Sequence, residues 1–398
     1  MTALVLLDHP RGLPDADDLA PITTARPLAE VRVGAKLVRE RWAALLGMSV
    51  TGVIAARRLT GFEEPGSAPV LTDDVMLDPG TIIAMSACAP VLQSIVIGSN
   101  DTWTHEGSVV AAALSRRSSV REIRASGVVA GERSAPIDGW RLRAPWDVIG
   151  HLPSMLAADA LFIARAAMPP RAVPADVRVL GDFPVRIADT ATIEPFVVLD
   201  ATQGAVVLGD HSVVRSFSRL TGPFVLGAHS QFMAGSGHTM SIGDHCKVSG
   251  EVSTSIFCGH ANKGHDGFVG HSYLGRWTNL GAGTATSNLK NTYGPVSFAG
   301  HETGLQFLGS LIGDHAKTGI LTRLTTGSSI GVGANVISDD VVPRVVAAFA
   351  FGHRGERYDR SRFFETAIRV MARRGVTMTT PMRACLNAVY DATPWTAP

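Results

Sequence analysis

The sequence predicts three segments: an α/β domain over residues 1–172, a triangular parallel β-helix over 173–345 and a short α-helical tail over 346–398. Three observations carry this reading. An aliphatic-Gly step recurs at a spacing of 18 residues beyond about Val177. Helical periodicity is confined to the two ends of the chain. A Pro-rich stretch, Met168–Ala175 (MPPRAVPA), reads as an extended linker where the composition changes.

The first segment opens on a short apolar strand, Ala3–Leu7. Pro27–Leu46 has helical spacing, with Leu28, Val31, Leu37, Val38, Leu45 and Leu46 on or near one face. Ser49–Ala55 and Ser94–Ile97 read as strands. A helix is expected across Trp146–Ala167, with Pro145 at its entry and Pro169-Pro170 ending it.

The second segment is repetitive. Leu208-Gly209-Asp210-His211 and Leu226-Gly227-Ala228-His229 stand 18 residues apart, as do Ile312-Gly313-Asp314-His315 and Ile330-Gly331. Ile242-Gly243-Asp244-His245, Val269-Gly270, Leu274-Gly275 and Leu280-Gly281 fill the middle, and six-residue steps join Ile187 to Ile193 and Leu274 to Leu280. A period of six summing to 18 is the mark of a three-sided parallel coil. Each side is one strand, the aliphatic residue points inward, and every backbone donor finds the coil above or below. About eight to ten coils are expected. A β-sandwich with Gly-rich turns would not hold so fixed a period.

In the tail, Arg360–Arg374 is amphipathic, with Phe364, Ile368 and Met371 on one stripe and Gly375 as a C-terminal cap. Thr380-Pro381 opens a further helix to about Ala392, as N-cap and first helical residue.

Composition excludes several classes. The chain of 398 residues is 45% hydrophobic, enough for large cores and too much for a disordered chain. Lys and Arg total 36 against 35 Asp and Glu, so no basic field exists to hold nucleic acid or an anionic membrane. Asp8 and His9 interrupt the opening apolar run, and no stretch of 18 apolar residues occurs, so neither a signal peptide nor a membrane span is expected. Cys88, Cys246, Cys258 and Cys385 form no CxxC pair, which suits a reduced cytoplasmic protein.

Polar chemistry concentrates in the repeats. Nine of the 13 histidines lie between His211 and His315, most in Gly-Asp-His steps expected at the corners of the triangle. Gly259–Tyr293 differs: it gathers His260, Lys263, His265, His271, Asn279, Asn288, Lys290, Asn291 and Tyr293 into two coils. A repeat-free excursion, about Leu289–Leu311, follows, and a long loop leaving a rigid solenoid usually carries function.

These residues carry a resemblance. The run from His265 through Asn279 and Leu280-Gly281-Ala282-Gly283-Thr284 to Asn288 fits, without a gap, the pattern H-x-x-[YF]-[LV]-G-x-x-x-[LIV]-G-x-x-x-N-[IL]-G-A-G-T-x-x-x-N. It resembles the left-handed β-helix acyltransferases, specifically the acetyltransferase half of the bifunctional glucosamine-1-phosphate acetyltransferase / N-acetylglucosamine-1-phosphate uridyltransferase. A second ungapped stretch covers Ile312–Val336. NKGHDGF, NLGAGT, SNLKN, GLQF and the N-terminal TARPLAEVRVG (Thr24–Gly34) are shared with sugar nucleotidyltransferase relatives, so the resemblance spans nearly the whole chain.

The resemblance implies a left-handed β-helix, a nucleotidyltransferase-like first domain and a CoA-dependent acyl transfer, acetyl foremost, to an amino sugar, sugar phosphate or sugar nucleotide. His265 would be the general base, since the ordinary pKa of imidazole lies near operating pH. Asn279 and Asn288 would hold the acceptor, Ala282, Gly283 and Thr284 would line the pantetheine of acetyl-CoA and polarise the thioester carbonyl, and Lys263 and Lys290 would bind phosphate. Asn291 and Tyr293 would reach the ligand from the excursion. No metal ligand is assigned. A homotrimer is implied, with the CoA site between neighbouring β-helices.

Departures from the pattern are specific. Phe268 stands where the family has Tyr, Leu289-Lys290-Asn291 replaces Tyr-Asp-Gly, about a dozen residues are inserted, and Ile320 replaces a Ser associated with CoA. In the first domain, Asp8-His9-Pro10-Arg11-Gly12 follows the first strand where the family has L-A-A-G-x-G-T-R-M. Arg26, Arg32 and Lys36 either bind phosphate or form the exposed face of a helix. If this domain is active as a nucleotidyltransferase, Mg is required. Two further readings stay open: a zinc hydratase resembling gamma-class carbonic anhydrases, built on His260, His265 and a third His such as His229, and a catalytically silent sugar-nucleotide scaffold.

Overall fold

The computed structural model describes residues 3–8, 19–93, 100–166, 171–352 and 356–393. The expected strand Ser94–Ile97, residues 9–12 of the loop after the first strand and part of the linker lie outside the described residues. The chain divides into two compact units, Met1–Asp147 with Met378–Thr393, and Val148–Thr377. In this division the long helix after residue 147 groups with the solenoid and the last helix with the first unit.

The first unit is α/β. Its main sheet has six strands in the order Val50–Ile54, Leu4–Leu7, Ile82–Met85, Ser108–Ala113, Thr102–His105, Ser134–Pro136. Leu4–Leu7 is central, parallel to both neighbours, and all four residues are buried, as a strand covered on both faces must be. Val5, Leu7, Ile54, Ile83, Val120 and Ile123 form one apolar cluster around it.

The helix expected over Pro27–Leu46 is only half present. Helix α1 covers Val38–Leu46, and a single 3-10 turn covers Leu28–Glu30. Between them Arg32–Val33 and Lys36–Leu37 pair as an antiparallel hairpin, turned at Gly34 with φ +56°. The buried Asp8 carboxylate accepts the Leu28 and Ala29 N–H groups, which fixes the 3-10 turn locally. Leu28, Ala29, Val31 and Val33 are all buried, so burial on every side overrides the helical period. Helix α2 covers Val120–Ser126 and is closed by a Ser119/Glu122 capping box.

The expected helix at 146–167 is a four-residue turn, α3 (Asp147–Gly150), followed by α4 (Leu152–Arg165). The break falls at His151, ahead of Pro153, which has no N–H to carry the ladder through.

The second unit is a parallel β-solenoid over residues 178–351. Seventeen strands form one continuous sheet and four more a companion sheet, and the registers repeat the period of the sequence: Val206 pairs with Phe224 and Ser310 with Ser328 in the first, Lys317 with Asn335 in the second. One inward column runs Ile187, Leu208, Leu226, Ile242, Phe257, Leu274, Ile312, Ile330, Val346 by successive pairing, and every member is buried. The excursion is visible in the register. Tyr273 pairs with Leu311, 38 residues on, so 20 residues beyond one regular coil leave the ladder. They form a small hairpin, Ser297–Phe298 with His301–Glu302, that buries Val296 and Phe298.

Helix α5 (Arg360–Ala372) buries Phe363, Phe364, Ala367 and Met371. Ile368, expected on that stripe, is 38% exposed, and Phe363 takes its place in the packing. Helix α6 covers Thr380–Ala392, with Thr379 rather than Thr380 as the N-cap and Pro381 in the first turn.

The inward column is the main apolar investment of the second unit. Phe257→Ala is expected to cost about 3–5 kcal/mol, the usual range for emptying a buried aromatic site. The shift of the urea midpoint at constant m-value measures it.

Candidate functional site

The solenoid has corners that demand left-handed backbone. His211, His229, His245, His260 and His315 hold one corner with φ between 52° and 59°, and Trp277 holds it with φ 62°. His tolerates this region better than most side chains. Their rings stack along the solenoid axis, with centroids 4.8 Å apart for His211/His229, 4.8 Å for His229/His245, 4.7 Å for His245/His260 and 4.1 Å for His260/Trp277. These are the turn histidines expected from the Gly-Asp-His steps. The Nδ1 of His260 lies 2.9 Å from an Arg276 Nη. Burial, reinforced by the Arg276 charge, holds His260 down at about 3.

The zinc reading does not survive this arrangement. His229 and His260 belong to the ring stack with His245 between them. Among the described residues no three His, Cys, Asp or Glu side chains are grouped to hold a metal.

His265 sits at a different corner, exposed, two residues before Gly267. Gly235, Gly250 and Gly267 occupy that corner on successive coils with φ of 112°, 81° and 131°, and Gly283, whose N–H donates to Asp266 O, turns the next coil one register position earlier with φ 71°. The next coil places Leu321 there, 70% exposed, beside Ile320 at 71%. Successive coils therefore turn here on glycine, whose missing Cβ lets the next coil approach closely, and the imidazole stands beside these turns with exposed aliphatic residues on one side.

Lys263 is not at the surface. Its register partner one coil earlier is Val248, an inward position, and Lys263 is 2% exposed. The ammonium donates to the carbonyls of Ser249 at 2.7 Å and His265 at 2.8 Å, and burial lowers it to about 8. The phosphate contact expected of Lys263 is thus replaced by a tie on the backbone of the His265 corner.

Asn279 and Asn288 lie on opposite sides of that corner. Asn279 pairs with Asn262 one coil earlier, whose Nδ2 donates to its Oδ1 at 2.7 Å. Asn288 Nδ2 meets His271 Nδ1 at 2.8 Å, and the His271 ring stacks on Phe307 of the excursion. Burial, with a contribution from His238, lowers His271 to about 4. No hydrogen bond links His265, Asn279 and Asn288 to one another among the described residues.

In the Ala282–Thr284 segment, much of the hydrogen-bonding capacity is spoken for. Gly283 N–H donates to Asp266 O, Ala282 O accepts from Leu321 N–H, and Thr284 Oγ1 meets Thr318 Oγ1 at 2.9 Å. The Ala282 N–H has no partner among the described residues. In the excursion, Lys290 Nζ donates to Pro295 O at 3.0 Å and Gln306 Nε2 to Tyr293 O at 3.2 Å. Asn291 and Tyr293 are exposed, Tyr293 at 68%.

A pocket of about 410 Å³ opens on the face that carries Asn279. Lys247, Asn262, Asn279 and Lys317 form one outward column, Trp277, Thr278 and His260 the floor, and Val370, Arg373 and Arg374 from the end of α5 the opposite wall. Of these only His260 and Asn279 were singled out from the sequence. The signal existed: Lys247 and Lys317 occupy equivalent outward repeat positions, and Arg373-Arg374 ends the tail helix.

In the first unit two of the three cations proposed for phosphate, Arg26 and Arg32, are buried, and Lys36 is half-buried in the hairpin. Arg26 is buried, pairs with Glu64 at 2.8 Å and donates to Glu30 O. Arg32 is buried in the hairpin. Neither lies on an exposed helix face. Glu30 is pushed up to about 7 by burial, against the opposing pull of Arg39.

Residues 13–167 match the family model described as sugar nucleotidyl transferase, a span that runs through α4. The chain is similar to the bifunctional protein GlmU of Methanococcus vannielii, 34% identical over 98 residues, 23% of this chain and 24% of that protein. It is also similar to the bifunctional protein GlmU of Synechococcus sp. (strain CC9605), 31% identical over 175 residues, 42% of this chain and 34% of that protein. The matches span about a quarter to a third of the length of these curated relatives.

The low values of His260 and His271 have a thermodynamic consequence. An imidazole in the unfolded chain binds its proton near pH 6.5. Between there and about pH 4 the unfolded chain holds protons that these two buried rings refuse. Their contribution is therefore complete above pH 6.5 and is lost as pH falls. The melting temperature should drop through this window, and a His260→Gln, His271→Gln variant should show a shallower slope in calorimetry.

Solenoid, first unit and similarities agree: the chain is a sugar-nucleotidyltransferase-like N-terminal region fused to a left-handed β-solenoid and is related to the bifunctional GlmU-like proteins.

Proposed function

We propose that the solenoid transfers an acyl group, acetyl in the simplest case, from a CoA thioester to an amino or hydroxyl group of a sugar, sugar phosphate or sugar nucleotide. The observation that carries this reading is the His265 corner: an exposed imidazole beside a run of glycine turns, with the Ala282 N–H unpaired among the described residues. His265 takes the proton from the acceptor nitrogen or oxygen as it attacks the thioester carbon. The C–S bond then breaks, and the departing thiolate receives the proton back from the imidazolium. The Ala282 N–H is the natural donor to the carbonyl oxygen where negative charge develops. Lys263 acts as a positioning residue by tying the His265 carbonyl to the solenoid interior.

Asn279 and Asn288 hold the acceptor in this reading. Because they flank the His265 corner on different faces, one chain does not enclose a substrate at that corner. A cyclic trimer brings a neighbouring face against it. The exposed aliphatic residues Ile320 and Leu321 fit such a contact. Ile320, where the resembling family has Ser, makes the thioester end of the site more apolar. Asn291 and Tyr293 reach the acceptor from the excursion, whereas Lys290 is held by Pro295 O.

A second reading rests on the match over residues 13–167: the first unit binds or makes a sugar nucleotide. The described residues do not offer a Mg site for it. Asp8 is spent on the Leu28 and Ala29 N–H groups, and no metal-holding group is present among the described residues.

His265→Ala should lower kcat by about 10²–10⁴-fold with an unchanged melting temperature, the usual worth of a positioned base. CoA release from acetyl-CoA in the presence of amino sugars, their phosphates and their nucleotide derivatives is the assay. No release with any acceptor would sink the reading. Light scattering should give three times the 41.9 kDa chain mass, and a monomer at micromolar concentration would contradict the shared site.

Tyr293→Ala, alone and with Asn291→Ala, tests the excursion. A changed acceptor preference in a trimer of normal stability is the expected outcome. Unaltered turnover for every acceptor would make the excursion a purely structural clasp.

A further inference from the structure

The GLQF motif, Gly304–Phe307, closes the excursion, and its last residue lies against the solenoid. The Phe307 ring stacks on the His271 ring, with centroids 5.2 Å apart and an interplanar angle of 23°. The next two residues bond the backbone beside it. Leu308 N–H donates to Asn288 O at 2.9 Å, and Gly309 N–H to His271 O at 2.8 Å. Leu289, directly after Asn288, forms an antiparallel bridge with Phe307. Both ends of the excursion are thus tied to one pair of residues, His271 and Asn288.

This pair has a defined polarity. A carboxamide nitrogen only donates, so the His271 Nδ1 that meets Asn288 Nδ2 at 2.8 Å accepts, and the ring proton sits on Nε2. A protonated ring would set one donor against another, and burial, reinforced by His238, opposes that protonation. Room for the amide comes from Gly270, where a Cβ would lie 2.5 Å from Asn288 Nδ2 and 2.6 Å from Phe268 Cζ. With Nδ2 committed to His271, the Asn288 Oδ1 has no hydrogen bond among the described residues. A carbonyl oxygen held this way accepts from N–H or O–H groups, whereas an amide free to turn could donate instead.

We infer that His271, steadied by Phe307, is a positioning residue that fixes the Asn288 amide with its carbonyl oxygen toward the acyl acceptor, which must meet it with an N–H or O–H group. The inference rests on the acyl-transfer reading, in which Asn288 holds the acyl acceptor, and adds two residues that this reading leaves without a part. It also lets the excursion act on specificity through the end that returns to the solenoid, with no contact from Asn291 or Tyr293.

Two substitutions separate the hydrogen bond from the ring stack. His271→Phe keeps a ring against Phe307 and removes the nitrogen that accepts. His271→Asn removes the ring, keeps an accepting oxygen near the Nδ1 position and tolerates the left-handed backbone there, φ 48°. In the CoA-release assay His271→Phe should raise KM for the acyl acceptor about five- to tenfold, the ordinary worth of one hydrogen bond, with kcat and the KM for acetyl-CoA unchanged. His271→Asn should recover most of that loss. Phe307→Ala should raise the same constant in the parent but not in the His271→Asn background, because Phe307 acts through the imidazole. An unchanged acceptor KM in His271→Phe, equal losses in the Phe and Asn variants, or no effect of Phe307→Ala in the parent overturns the inference. The ring itself is read without turnover, by nuclear magnetic resonance on the full chain with isotope-labelled histidine. The resonance absent from His271→Phe should report a bare Nδ1 and a protonated Nε2 near neutral pH, and Asn288→Ala should shift it. A protonated Nδ1, or no response to Asn288→Ala, overturns the inference whether or not CoA is released, so its failure and that of the acyl-transfer reading stay distinct.

Discussion

Parallel coil-on-coil hydrogen bonding is the constraint from which the second unit follows. Each strand gives its N–H and C=O groups to the coils on either side, so the register cannot slip without turning an inward residue outward. Ile187 through Val346 form one such column, and their burial depends on nine coils keeping step. The coils vary in length, from 15 residues between Lys247 and Asn262 to 21 between Val185 and Val206, but the variation is absorbed at corners. Even the 20-residue excursion leaves and rejoins the ladder without moving Leu274 off Ile312.

The corners divide the chemistry. One is filled by a stack of imidazoles and an indole, which turns a backbone requirement into a continuous packed edge. Another is turned on glycines that let each coil approach the next closely, and His265 stands beside it. The same residue type therefore does two jobs. His260 is buried and held neutral in the stack, while His265 presents an exposed ring. Sequence proximity is no guide to which histidine is which; the corner each one occupies decides it.

Lys263 shows how the ladder can recruit a polar residue inward. A buried ammonium is costly unless its protons are met. Here two backbone carbonyls meet it, one of them belonging to His265. The cost of placing a cation in an aliphatic column is offset by fixing the turn that carries the exposed imidazole. The outward neighbour of Lys263, Asn262, joins a column with Lys247, Asn279 and Lys317, and this alternation separates a structural lysine from the two lysines of the pocket.

The sequence by itself determined the three kinds of architecture, because an 18-residue period, an aliphatic first strand and an amphipathic tail are local patterns that each admit one solution. It also marked His265, Asn279 and Asn288 through their spacing. Tertiary structure alone decided the rest. Pro27–Val33 has helical spacing but is buried on all sides, so a capped 3-10 turn and a hairpin replaced the helix there. Lys263 follows a register set by Val248, one coil and 15 residues away, which no contiguous motif records. Arg26 is claimed by Glu64, 38 residues distant. The cationic pocket joins residue 247 to residues 373 and 374, and such a gathering arises only when a tail helix folds back on a face that the coils have already lined up.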